Sequence, residues 1–579
     1  DIYGRPFEVG QVQKSSITQI SEAIVKNPSS LDAWIISGTR TEVTRTTYDR
    51  SISVSVVASK FTNGQNHLRN RISTVAHYFS YSTITPDLSF NHATHFSYDD
   101  HGNVTEMIQD MPDLGPIQHQ YKKIQYVFEQ ISGNVKKVLY QKGSADQFLH
   151  EYFYDADNRI KEVYTSRDST IWDRDAKYFY YRHGPLARVE HGHNKVQGED
   201  FAYTINGWIK GVNSGTLNTT YDMGKDGVTG YLSGNTNVHN RVAHDKFGYI
   251  LGYFNQDYKP VSGATPGNYF EPAYSGTGFG NASPSLYNGN IRHMITAIPT
   301  ASNQVMGYAY QYDQLNRIKS MNAFRFVSGN SWSTGTSTTD YQTTYKYDAN
   351  GNIEELKRRA VGLLMDDLAY SYVPNTNRLD KVDDLAGATP TISDDIEGIQ
   401  SNGNYTYTAI GELKSDAQEN IADITWRVDG KVRRVTRNIA GKVEMEFEYD
   451  AFGRRVLKIE KLTTTGGSPQ DQWTYTYYVN DASGNVMATY KLTKGVTTET
   501  FKLDNQHIYG SKRLGMLVRD YTLTTRNVST GINTHSAAEA RNHRSGRRYY
   551  EYSNHLGNVL LVTSDRKIPY YSGSTFLRY

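Results

Sequence analysis

The 579-residue chain has no cysteine, which excludes disulfides, thiolate metal ligands and thiol nucleophiles. It also lacks an excess of either charge. Its 62 Lys and Arg stand against 60 Asp and Glu, a net +2, so no basic footprint for nucleic acid is present. No apolar run is long enough to cross a bilayer as a helix. Hydrophobic residues make up 37% of the chain and the mean hydropathy is -0.64, less aliphatic material than an ordinary core of this size uses. Proline is scarce, with 15 residues, and no proline-rich linker divides the chain. Residue 1 is Asp and no signal peptide precedes it, so the expectation is a fragment or a processed product.

Tyrosine and glycine are in excess, at 46 and 48 residues. A phenol joins a large apolar ring to a hydroxyl that seeks an acceptor or water, which suits broad sheets with one wet face. The excess is ordered. Residues 345–353 read Tyr-Lys-Tyr-Asp-Ala-Asn-Gly-Asn-Ile: the alternation of a two-faced strand, then Asx and glycine turn chemistry, then a second strand. Strict copies of this hairpin carry Tyr98, Asp99 and Gly102; Tyr154 and Asp155; Tyr312 and Asp313; Tyr347, Asp348 and Gly351; and Tyr449, Asp450 and Gly453. Looser copies begin at Tyr126, Tyr203, Tyr407, Trp426, Tyr478 and Tyr552. Steps of roughly 20–30 residues belong to repeat architectures. The fourth residue after each strict tyrosine is Gly or Asn, while those between vary. That is a turn constraint, so these residues are read as structural rather than catalytic. Apolar residues three apart, as in Ile160/Val163 and Ile318/Met321, follow so tight a turn that a bulged strand explains them better than a helix.

The remaining stretches are less regular. Residues 1–97 read as an irregular β-rich part and 98–579 as the repeat core, with a loop-rich insertion at about 211–299. Within the first part, Ile17, Ile20 and Ile24 mark a short amphipathic helix over 16–26. Residues 31–80 read as strands, with Trp34, Ile35 and Ile36 buried and Ile52, Val54 and Val56 alternating with serines. Residues 386–403 and 523–547 read as surface loops.

The repeats resemble the YD repeats of the bacterial RHS family, shared with the BC shell of toxin complexes and with teneurins. The tail strengthens this: Gln506-His507-Ile508-Tyr509-Gly510-Ser511 and Tyr552-Ser553-Asn554-His555-Leu556-Gly557-Asn558-Val559 are similar to the end of an RHS core. The resemblance implies an all-β fold, a hairpin ribbon spiralling into a hollow shell. It also implies a non-enzymatic role without cofactor, in which the shell of a secreted or surface-exposed bacterial toxin encloses a cargo polypeptide, with a capping or secretion-system protein as a further partner. The cargo in such proteins is often a C-terminal toxin domain released by self-cleavage. Neither that domain nor its cleavage segment is visible here. The rival reading is a surface adhesin or carbohydrate-binding protein with Trp208, Trp332 or Trp473 as sugar platforms.

Other chemistry is weaker. Glu151 with Asp155, or Asp394 with Asp395, offers paired carboxylates, but glycoside hydrolysis needs a defined separation around a bond. His191 and His193 offer two imidazoles for a metal, without further ligands. Residues 222–227 lack the ligand series and the terminal Glu of a calcium loop. Gly276, Gly278 and Gly280 lack the lysine of a phosphate loop. Arg433-Arg434 and Arg547-Arg548 read as solvated basic spots.

Overall fold

The computed structural model describes residues 3–14, 20–81, 89–217, 221–227, 239, 241–259, 279, 282–298, 305–328, 331–333, 339–386, 398–462, 470–536, 545–572 and 575–578. Alternating, β-branched and aromatic segments separated by Gly and Asn turns give strands almost throughout. A sheet of 22 strands runs from Glu8–Gln13 to Leu379–Asp384, and one of 13 strands from Tyr405–Tyr407 to Val559–Ser564. A separate hairpin pairs Tyr570–Ser572 with Thr575–Arg578. Pairing is antiparallel between strands adjacent in sequence, as from Phe148–Tyr154 to Ile160–Ser166 and on to Asp173–Tyr180. The chain is therefore one long meander, broken between residues 384 and 405. Neither sheet closes on itself among the described residues.

The two sheets meet face to face. One core contains Phe148, Val163, Tyr178 and Tyr249 from the first sheet and Tyr477, Tyr490, Phe501 and Tyr552 from the second. Polar groups are buried in the same layer. Lys122 Nζ lies 2.6 Å from Asp146 Oδ2, and the Tyr490 hydroxyl donates to that oxygen at 2.7 Å. Tyr140 and Tyr490 share a short hydroxyl–hydroxyl bond across the sheets. Burial works against both charges, yet Lys122 holds Asp146 below the ordinary carboxylate range.

Several sequence expectations are corrected. Glu22–Lys26 and Pro28–Ile36 are both helical, so the stretch with Trp34 is not a strand, and Ile36 is exposed. The overlooked signal was Asn27-Pro28: Asn27 Oδ1 accepts from Ser30 N at 3.2 Å, and proline suits the first helical turn. Ile17 lies outside the described residues. Ile52 N is taken by the Gln65 side chain at 2.7 Å rather than by a neighbouring strand, and Ser55–Ala58 coils into one helical turn. The insertion contains wall strands, Gly248–Gly252 and His293–Ala297. Leu523 is buried in the strand Arg513–Asn527, not in a loop.

Candidate functional site

The unit from which the wall is made is the joint between hairpins. At each strict copy the aspartate closes its own turn. Asp348 Oδ1 accepts from Asn352 N at 2.8 Å and Oδ2 from Asn352 Nδ2 at 2.7 Å. Asp99 bonds Gly102 N and Asn103 N at 2.8 Å. Asp155 and Asp313 accept from Arg159 N and Arg317 N at 2.9 Å, and each also pairs with that arginine's side chain. Asp450 accepts from Phe452 N and Arg454 N. Partial burial acts against the Asp348 carboxylate, but the bonds from Asn352 hold its pKa below the ordinary value. Asp450 is 1% exposed and burial pushes its pKa up. The fourth residue after each tyrosine has positive φ, 92° at Gly351, 72° at Gly453 and 60° at Asn158, which only Gly and Asn adopt cheaply.

The tyrosine looks backwards along the ribbon. Tyr347 Oη donates to the carbonyl of Ile318 at 2.8 Å, and Ile318 is the residue paired with Tyr312, the tyrosine of the preceding hairpin, next to a register shift. Tyr98 reaches Ile72, Tyr154 reaches Val135, Tyr312 reaches Ile291 and Tyr449 reaches Val432, at 2.7 to 2.9 Å. Each hydroxyl fills a carbonyl that the bulge would leave without a strand partner. The register at these joints obeys one rule: the residue three past the acceptor pairs with the residue four before the tyrosine. Met321↔Thr343, Val138↔His150 and Val435↔Met445 all follow it. The apolar residues three apart in the sequence are thus the acceptor and the register-setting residue of one joint.

Several ladder members escaped the sequence reading. Tyr180, Tyr372 and Tyr509 donate to Ile160, Ile353 and Val486 but lack the following Asp; only the apolar residue six or seven positions on (Leu186, Leu379) gave a signal. Trp426 takes part through Nε1, 2.7 Å from the Leu413 carbonyl. Near Tyr126 and Tyr478 the register shift falls two residues later, at Phe128 and Asn480.

The two faces of the wall differ. Around Thr343–Tyr347 one face is an ion-pair row, with Lys346 to Glu355 and Lys357 to Asp367 both at 2.8 Å. Strand alternation places Tyr308, Tyr310, Tyr345, Leu356 and Leu368 on the opposite face, continuous with Met294 of the shared core. In the second sheet the face that carries core residues Leu457 and Ile459 also carries Glu448, Glu446 and Glu444. Glu446 lies 2.7 Å from Lys461, while burial, with Asp113 and Glu446 adding to it, raises Glu448 to about 8.

Other candidates take defined places. Glu151 lies 2.9 Å from Lys137 and Asp155 closes its turn, so they are engaged separately. Asp394, Asp395, Gly276, Gly278 and Gly280 lie outside the described residues. His191 is buried against Glu199 at 2.7 Å, whereas His193 is exposed in the turn beyond it. Asp222 accepts from Gly224 N and Asp226 N, and Asp226 lies 2.6 Å from Arg188. Among the described residues no three of His, Asp and Glu are arranged to hold a metal ion. Arg548 corrects the expectation of a solvated basic spot. It is buried 2.6 Å from Asp173 and 2.8 Å from Asp175, a cross-sheet clamp completed by Tyr550 Oη on Asp175 at 3.0 Å. The tryptophans are packed rather than presented: Trp332 lies 4.7 Å from Phe279, Trp208 lies 5.0 Å from Tyr253, and Lys461 sits 4.1 Å over Trp473.

This wall geometry has relatives. A family model described as the teneurin YD-shell matches residues 281–470. The match covers about a third of the chain and supports its resemblance to RHS/YD-repeat shells. No curated protein sequence matches it. A Photorhabdus luminescens Tc holotoxin pore with a mutated TccC3 is similar in fold, at TM-score 0.50 and 13% identity over 98% of this chain and 22% of that one. The TcdB2–TccC3–Cdc42 crystal structure aligns with TM-score 0.49 and 13% identity over 100% of this chain and 24% of that one. This YD-repeat chain therefore spans about a quarter of the length of the structures it matches. Among its described residues no helix is long and apolar enough to cross a membrane.

Proposed function

We propose that this YD-repeat chain forms part of a non-enzymatic shell that encloses a polypeptide cargo, a toxin or effector domain of an exported bacterial protein. The observation that carries the reading is the bare inner face over residues 305–449. There Tyr308, Tyr310, Tyr345 and Leu356 are only half-buried, beside the Arg358–Asp366 ion pair, while the opposite face carries the Lys346–Glu355 and Lys357–Asp367 pairs. A tyrosine and carboxylate lining offers many weak contacts and no deep apolar grip, which suits holding an extended chain without a fixed binding pose. The likeness in fold to a Tc holotoxin pore supports a toxin-related role here.

The test is limited proteolysis of the native full-length polypeptide, read by mass spectrometry. A cargo segment is expected to co-purify with the wall and to resist protease until the Arg548 clamp is removed. Digestion of every attached segment at the same rate with the wall intact would overturn the proposal.

A further inference from the structure

Lys122 and Asp146 meet in the shared core under conditions that favour a covalent bond over an ion pair. Lys122 lies in the strand Tyr121–Phe128, and Asp146 lies 24 residues on, in the turn between Val135–Tyr140 and Phe148–Tyr154. Nζ stands 2.6 Å from Oδ2, with Lys122 0% and Asp146 2% exposed. The rings of Tyr490 and Phe501 cover Nζ at 4.2 and 5.6 Å. An ammonium offers three N–H donors, yet among the described residues Asp146 Oδ2 is the one hydrogen-bond acceptor of Nζ. Burial also pulls the Lys122 pKa down. Passing a proton along the bond leaves a neutral amine beside a carboxylic acid, and a dry site favours that neutral pair. The amine lone pair then faces Cγ, one bond from Oδ2. Tyr490 Oη donates to the same oxygen at 2.7 Å and polarises Cγ. Its pKa is raised well above the ordinary value by burial and by Asp146, so it remains a donor. Lys210 and Asp257 form a comparable buried pair at 2.7 Å, but there the second carboxylate oxygen accepts from Tyr253 N, and no hydroxyl reaches it among the described residues.

We propose that Lys122 and Asp146 join in an intramolecular isopeptide bond, with Tyr490 as the hydrogen-bond donor that activates the carboxyl. Nζ attacks Cγ; the C–N bond forms and the Cγ–Oδ2 bond breaks. Oδ2 leaves as water with the two protons that the ammonium gives up, and the third stays on the amide nitrogen. Nothing is oxidised or reduced. A pocket of about 450 Å³, whose lining includes His119, Ser144, Asp146 and Leu523, gives the water a way out. The product ties a wall strand to the turn beyond the next one, a covalent staple open to a chain without cysteine. It does not depend on what the wall encloses.

The test is a tryptic digest of the native polypeptide read by tandem mass spectrometry. The peptide carrying Lys122 is expected to be joined to the one carrying Asp146, about 18 Da lighter than their sum. K122R and D146A chains are expected to give separate peptides of full mass. D146N is expected to form the same amide with loss of ammonia, about 17 Da. Y490F, sampled soon after synthesis, is expected to be largely unjoined, since losing such a donor slows acyl chemistry roughly 100-fold. Separate peptides of full mass from the wild-type chain would overturn the proposal. So would a mass loss at Asp146 that persists in K122R, because the carboxyl would then be closing on its own backbone. A Y490F chain that joins as fast as wild type would overturn the part given to Tyr490.

Discussion

Strands Phe148–Tyr154 and Thr343–Tyr347 end in the same motif and make the same turn, yet their side chains fare differently. Phe148 and His150 are fully buried, whereas Thr343 and Tyr345 are half-exposed. The difference is what stands opposite. Residues 148–150 face the second sheet, where the Gln506 side chain donates to the Asp146 carbonyl at 2.8 Å, while among the described residues no comparable layer covers 343–347. Between residues 305 and 449 the buried hydrophobics among the described residues are Ala309, Ala323, Phe324, Leu368, Val382 and Ile424, too few to make a second sheet-to-sheet core. The family model's match at 281–470 falls largely on this open part. The hairpin repeat therefore specifies a wall, and packing across the layer is an addition made by particular residues in one half.

The largest way to break the packed half is at its clamp. Arg548→Ala leaves the buried Asp175 without its cation, and removing one partner of a buried pair costs about 3–5 kcal/mol. Urea unfolding should show that loss. Hydrogen exchange should rise around residues 173–180 and 548–552 and stay unchanged over 343–372. Equal loosening of both halves would mean that the distinction is false. A smaller break follows at Tyr490. Tyr490→Phe takes a donor from Asp146 and a partner from Tyr140, and an unsatisfied buried group costs about 1–3 kcal/mol. Tyr345→Phe in the open half should change stability by less than the scatter of such measurements.

The ladder tyrosines act in both halves alike. Tyr347→Phe should lower stability by about 0.5–1.5 kcal/mol, the net worth of one hydrogen bond, and so should Tyr154→Phe, although one joint is open and the other packed. Differential scanning of the two variants checks this. A loss confined to Tyr154 would show that the joint depends on packing rather than on its own bond.

The joints were legible in sequence because turn chemistry is local: Asp348, Gly351 and their counterparts announce themselves within seven residues. The backward reach of Tyr347 to Ile318 was not legible, since nothing local links residues 29 positions apart. The cross-sheet clamp was hidden for the same reason. Arg547-Arg548 resembles any surface basic pair until Asp173 and Asp175 arrive from nearly 400 residues away. Helix Pro28–Ile36 was misread because its apolar end, Trp34-Ile35-Ile36, matches a buried strand as well as a helix, and the Asn27-Pro28 start was given no weight.

A pH-dependent effect sharpens the comparison where the two halves adjoin. Glu448 stands beside Leu457 of the shared core but faces the carboxylates Asp113, Glu446 and Glu42, with Arg433 opposing them. Burial, with those charges, raises its folded pKa from the ordinary 4.5 to about 8. A carboxyl raised in this way contributes its full stability below the unfolded value and loses it as the pH rises through the folded value. Wild-type melting temperature should therefore decline between about pH 5 and 8 more steeply than that of Glu448→Gln, the two agreeing near pH 5 and the variant being the more stable at pH 8.5. Arg433 is already engaged by Glu42 at 2.9 Å, which is why it does not rescue Glu448. Parallel pH profiles would mean that water reaches Glu448 freely, and would move the boundary of the open half as far as Leu457.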